Sequence, residues 1–211
     1  YDQGLGVTQD YAQAAAWYRK AAAQDNANAQ YNLGLLYDQG RGVQKDNAQA
    51  ATWWRKAAEH GNIDAQYNLG VLYAKGQGVQ QDFAQAAVWF RKVAEQGDIV
   101  AQDRLGQMYH QGQGVPQDDA QATAWWRKAA EGADPYGELW LGVAYGTQQG
   151  VPQDFDQAYL WLTRASRDLP EGSKMDIEAR IEAALARIAL SSGRAAALQW
   201  QSLGPRSKPF Q

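Results

Sequence analysis

The chain has 211 residues and a formal net charge of −3, so no excess of cations recommends nucleic acid or an anionic membrane as its partner. It has no cysteine, which excludes a disulfide framework and any thiolate metal site. Apolar residues make up 45%, with 9 Trp among them; that can fill a core, yet no run reaches the roughly 18–20 apolar residues of a membrane-spanning helix.

Read from the first residue, Tyr1-Asp2-Gln3-Gly4-Leu5-Gly6-Val7 matches Tyr37-Asp38-Gln39-Gly40-Arg41-Gly42-Val43, 36 residues further on. The chain is therefore expected to enter partway through a repeat, as a piece of something longer. The same interval carries Asp10 to Asp46, Asp82, Asp118 and Asp154, and Trp17 to Trp53, Trp89, Trp125 and Trp161. A fixed period of this size marks stacked helical units.

In each unit a first helix, A, is predicted to start at the aspartate. Asp46 caps the free N–H groups, and Gln49, three residues on, can reach back. Ala50, Trp53, Trp54 and Ala57 then fall on one face, and Gly61 ends the helix. A second helix, B, is predicted from about Asp64, with Ala65, Leu69, Leu72 and Tyr73 as its apolar stripe, ending at Gly76. Gly70 stands mid-helix, at a cost of about 1 kcal/mol relative to alanine, and Gly34, Gly106 and Gly142 repeat it. This predicts a neighbouring helix in close approach, with the Trp side chains of helix A, Trp89 among them, in the gap.

The fold class that follows is all-α: a right-handed α/α superhelical solenoid of stacked 36-residue helix-turn-helix repeats over residues 1–167. Pro170 and Gly172 then replace the usual turn. Ile177, Ile181, Leu185 and Ile188 line an amphipathic helix, so 168–203 is expected to form capping helices. Residues 204–211 read as an extended tail, expected to dock through Phe210 in a groove of this chain or a neighbour.

The string Ala50-x-x-Trp53-Trp54-Arg55-Lys56-Ala57-Ala58-Glu59-x-Gly61, continuing to Ala65-Gln66-Tyr67-Asn68-Leu69-Gly70 and Gly76-x-Gly78-Val79, resembles the Sel-1-like repeat. That family is a relative of the tetratricopeptide repeat of about 34 residues. The resemblance implies a non-catalytic scaffold or adaptor that binds a protein or extended peptide in a concave groove, with no cofactor. Family members serve in bacterial envelope biogenesis, host interaction and eukaryotic quality control. A bacterial, periplasmic or secreted chain is expected, with a cytoplasmic one as the alternative. Some members are linked to β-lactam binding, so the alternative function is a protein that binds or hydrolyses cell-wall fragments or β-lactams. The missing Ser-x-x-Lys counts against it.

The chemical inventory is otherwise thin. His60 and His110 stand in different repeats and read as surface residues. Gly-x-Gly at Gly40/Gly42 and Gly76/Gly78 lacks the third glycine of a dinucleotide loop and reads as a turn. Two candidate partner-binding sets remain. One is the basic pair of each helix A: Arg19, Arg55 with Lys56, Arg91 with Lys92, and Arg127, a possible ridge for an acidic partner or else a solvated ridge pairing with Glu59 and Glu95. The other is the set of departures from the repeat: Asp103 and Arg104 where Tyr-Asn is usual, then Gln107 and His110, and Trp140 in the next unit. These mark a partner site or local repacking.

Overall fold

The computed structural model describes residues 2–3, 8–168 and 186. Apart from Ala186, the capping helices and the tail expected after Asp168 lie outside the described residues. Among those described there are nine α-helices and no strand: α1 (Tyr11–Ala22), α2 (Ala27–Gln39), α3 (Asn47–Glu59), α4 (Ile63–Lys75), α5 (Phe83–Glu95), α6 (Ile99–Gln111), α7 (Asp119–Glu131), α8 (Pro135–Thr147) and α9 (Phe155–Asp168). Odd-numbered helices are the A helices of the repeat and even-numbered ones the B helices.

Every A helix from α1 to α7 begins as its sequence predicts. Asp10, Asp46, Asp82 and Asp118 sit in extended backbone at the N-cap and accept a hydrogen bond from the backbone N–H of the glutamine three residues on. Asp154 does the same for α9, accepting from Asp156 and Gln157. The B helices start slightly earlier than predicted. Asn26, Asn62, Asp98 and Asp134 are their caps, which leaves Asp64 inside the first turn of α4, where the helix dipole favours an acid.

The chain forms two compact units. The first holds residues 1–96 with 113–115, and packs α1 to α5 in succession. The second holds residues 97–112 and those from Pro116 on, and packs α6 to α9. Each is a solenoidal run of antiparallel helices.

One contact recurs in both units. The mid-helix glycine of each B helix faces the next A helix. A Cβ on Gly34 would lie 2.5 Å from Trp54, one on Gly70 3.0 Å from Phe90, one on Gly106 2.5 Å from Trp126, and one on Gly142 2.7 Å from Leu162. The predicted close approach is therefore present, but its occupant is the second large residue of each pair. Trp89 is not in the gap. Adjacent helical residues point about 100° apart, so only one of Trp53 and Trp54, or of Trp89 and Phe90, can face the glycine. Trp54 and Phe90 are each 4% exposed, whereas Trp53 and Trp89 are half-buried and Trp17 is largely exposed.

The Gly-x-Gly turns are structural, as read. Gly42, Gly78 and Gly114, together with Gly150 where Gln148 replaces the first glycine of the pair, all have φ between +66° and +70°. A Cβ there would run into the backbone at Tyr11–Ala12, Asn47–Ala48, Phe83–Ala84 and Asp119–Ala120 respectively, so both the conformation and the space demand glycine.

Candidate functional site

The basic pairs settle on aromatic rings. Arg19 donates to the Tyr37 hydroxyl at 3.1 Å, Arg55 to Tyr73 at 3.0 Å and Arg127 to Tyr145 at 2.9 Å. In each case helix A reaches the last turn of helix B in the same hairpin. The lysines lie over the tryptophan that opens each aromatic pair, exposed at Trp17, half-buried at Trp53 and Trp89 and buried at Trp125. Lys20 is 4.4 Å from the Trp17 ring centre, Lys56 4.7 Å from Trp53, Lys92 4.3 Å from Trp89 and Lys128 3.9 Å from Trp125. Arg164 takes the lysine's place over Trp161 at 4.7 Å. Aromatic side chains hold these cations, the three arginines through tyrosine hydroxyls and the lysines and Arg164 through attraction between a cation and the ring quadrupole. Arg19, Arg55, Arg127 and the four lysines remain exposed. In the first unit Arg19 and Tyr37 border a depression of about 520 Å³ that also takes in Val43, Lys45, Asp46 and Gln49.

The departures from the repeat gather in the second unit. At the register of Asp103 the earlier repeats carry Tyr31 and Tyr67, and Tyr67 meets the Phe90 ring edge-on at 5.5 Å. Asp103 cannot supply such a ring to Trp126. Trp140, from a register that holds Asn32, Asn68 and Arg104 elsewhere, stacks on Trp126 instead, with centroids 5.6 Å apart and planes 21° apart. Asp103 and Trp140 thus form a compensating pair, and local repacking accounts for the tryptophan.

Packing does not call for a carboxylate, however. Asp103 is 5% exposed and Asp134, the cap of α8, 7%. One Asp103 oxygen accepts from Gln107 Nε2 at 2.7 Å; the other, Oδ1, is buried with no hydrogen-bond partner. Burial, together with repulsion from Asp134, pushes the Asp103 carboxyl up to about 6, against the pull of Gln107 and Arg104. Asp134 is raised as well, chiefly by burial.

His110 is half-buried and paired with Asp119 at 2.7 Å, its ring tilted against Trp126 at 5.6 Å. Sequence spacing placed it with Asp103 and Gln107. Only those two bond to each other, while His110 turns to the first residue of α7. A further pair escaped the sequence reading: Glu138, fully buried, meets Arg164 Nη2 at 2.9 Å. Its register holds Gln30, Gln66 and Gln102 elsewhere, so the exchange to Glu answers the exchange of lysine to Arg164.

The chemistry these groups support is recognition. Among the described residues no three His, Asp or Glu side chains converge as a metal site, and no helix is long and apolar enough to cross a membrane. The surface offers regularly spaced cations on aromatic supports, and one locally altered patch.

The family model described as the Sel1 repeat matches residues 1–26, 27–62, 63–98, 99–134 and 135–168. Each full match runs from a B helix into the following A helix, so it encloses the glycine and the side chain that faces it. A Sel1 repeat protein from Oxalobacter formigenes is 32% identical over 96% of this chain and 82% of its own, with a TM-score of 0.82. The protective antigen c5321, present in uropathogenic Escherichia coli strains and displaying an SLR fold, is 34% identical over 99% of this chain, with a TM-score of 0.77. This chain spans 47% of that antigen's length. No curated protein matches the chain.

Proposed function

The chain belongs to the Sel1 repeat family, and from that premise we propose that it is a non-catalytic scaffold that binds a protein or an extended peptide. Sel1 repeat proteins generally mediate protein–protein interactions. The observation that carries the finer reading is the recurrence of exposed cations, each held by an aromatic side chain, at one register of successive hairpins. In the first unit Arg19 and Arg55 are fixed by Tyr37 and Tyr73, and Lys20, Lys56 and Lys92 by Trp17, Trp53 and Trp89. A cation pinned to a ring gives up less side-chain freedom on binding than one free in water. A row of them suits carboxylates spaced along an extended acidic segment.

The chain acts in this reading as a bacterial adaptor in the periplasm or outside the cell. Support comes from its likeness to a protective antigen present in uropathogenic Escherichia coli strains. The test is affinity capture with the intact protein, identification of the partner, and measurement of its affinity for the Arg55→Glu, Arg91→Glu, Arg127→Glu triple variant. The partner is expected to bind more weakly as salt rises and to be lost by the folded variant. A partner held equally well by both proteins and indifferent to salt would refute the cation reading.

A further inference from the structure

The B helices of the second unit differ from those of the first on their solvent face. At the first-turn position where α2 and α4 carry Asn28 and Asp64, α6 carries Val100 and α8 carries Tyr136. Val100 is 43% and Tyr136 36% exposed, so two apolar side chains replace two hydrophilic ones without being buried. One turn on, Asn32 and Asn68 give way to Arg104 and Trp140. The repacking of Trp140 onto Trp126 explains one of these four changes and leaves the other three. Val100 and Arg104 stand one turn apart on α6, and Tyr136 and Trp140 one turn apart on α8, two helices that touch each other. Arg104 lies near both Asp103 and Asp134, and the Tyr136 backbone lies at Asp134.

That foundation has a charge imbalance. Two carboxylates close enough to repel each other share the exposed Arg104; Asp134 also accepts from the backbone N–H of Gly137 at the start of α8, whereas Asp103 Oδ1 has no donor of its own. A carboxylate in a protein interior is normally matched by a cation or by several donors. The apolar rim above it, rich in aromatic side chains, has the composition of a protein-recognition surface. An acidic ligand would meet the field of both aspartates, whereas a basic one would complete the set.

We propose that the face formed by Val100, Arg104, Tyr136 and Trp140 docks a protein segment carrying a lysine or arginine between apolar residues, the cation being drawn to Asp103 and Asp134 and its neighbours resting on Val100 and Tyr136. This rests on the scaffold reading and assigns a second partner chemistry, opposite in sign to that of the basic ladder.

The experiment is to pan a random dodecapeptide library displayed on phage against the full chain, then measure enriched peptides by fluorescence polarisation. Two variants separate the contributions. Val100→Asn with Tyr136→Asn places at these positions the kind of side chain the first unit tolerates at the same register, so folding, checked by circular dichroism, is expected to hold. Asp103→Asn removes the charge at nearly constant volume. The proposal expects peptides with Lys or Arg flanked by apolar residues, weakened about tenfold or more by each variant. Enrichment of acidic peptides, of peptides indifferent to Val100→Asn with Tyr136→Asn, or of none at all would overturn it. Peptides that bind elsewhere would leave the scaffold reading standing while this one fails.

Discussion

The contact between Gly34 and Trp54 makes a prediction in which a substitution changes sign with its background. Glycine to alanine inside a helix is worth about 1 kcal/mol in favour of alanine when nothing touches the new methyl group. At Gly34 the methyl would sit 2.5 Å from both Cδ1 and Nε1 of Trp54. The indole must then move, and it is held by a hydrogen bond from Nε1 to the Tyr31 carbonyl at 3.1 Å. Overpacking of this kind costs roughly 1–3 kcal/mol, and the hydrogen bond is worth about 1 kcal/mol. Net of helix propensity, Gly34→Ala is expected to destabilise the chain by about 1–3 kcal/mol. Trp54 is 4% exposed, so Trp54→Ala alone should cost about 3–5 kcal/mol. With the indole gone the methyl group has room, and Gly34→Ala in that background should stabilise by about 1 kcal/mol. The coupling between the two sites is thus about 2–4 kcal/mol, well above the few tenths seen between independent positions. Urea denaturation of the four proteins, followed by far-ultraviolet circular dichroism, measures it. Additive effects, or a Gly34→Ala variant more stable than the parent, would refute the assignment of Trp54 as the side chain in the gap.

The Asp103 carboxyl, raised to about 6 in the folded chain, gives stability that is complete below its unfolded value near 4 and is lost as pH climbs through about 6. Asp103→Asn should therefore exceed the parent in stability at pH 7.5 by up to about 3 kcal/mol, the advantage shrinking towards pH 4; a difference independent of pH would contradict this. Trp89→Ala, which removes a half-buried ring under Lys92, should lower the urea midpoint clearly less than Phe90→Ala, for which about 3–5 kcal/mol is expected; equal losses would return Trp89 to the core. Gly78→Ala meets both a φ of +70° and the backbone at Asn47–Ala48, so it should cost more than about 1 kcal/mol, and an unchanged thermal midpoint would speak against the turn as described.

Much of this architecture is written in the period. The aspartate caps, the glycines that end the B helices and the mid-helix glycines were all readable, because each answers a local demand of the backbone or a single close approach. Which of two neighbouring aromatics turns inward was not. Trp53 and Trp54 are alike in size and greasiness, and the wheel places both near the same face. One signal was present: Lys56 stands three residues after Trp53 and one helical turn places it over that ring, marking Trp53 as the solvent-side member. The ladder of cations was legible as residues but not as contacts, since Arg55 and Tyr73 are brought together by the hairpin rather than by spacing on one helix. Asp103 and Trp140 looked like separate irregularities. They are linked through Trp126, which belongs to neither helix. Likewise His110 finds Asp119 only because the intervening turn delivers the start of α7 to it.

The placement of the glycine lock bears on how such an array can lengthen or shorten in evolution. Gly34 and Trp54 both lie within residues 27–62, one matched repeat. A duplication of that stretch copies both halves of an interface at once, and an in-frame excision removes both, so neither event orphans a cavity or a protruding ring. The exchange involving Asp103, Trp126 and Trp140 behaves otherwise, because its members straddle the boundary between residues 99–134 and 135–168. Losing the first of these stretches would strand Trp140, and copying it alone would pair a second Asp103 with no tryptophan to compensate. The last two repeats are consequently bound to each other in order, while the earlier ones are free to be traded as interchangeable parts.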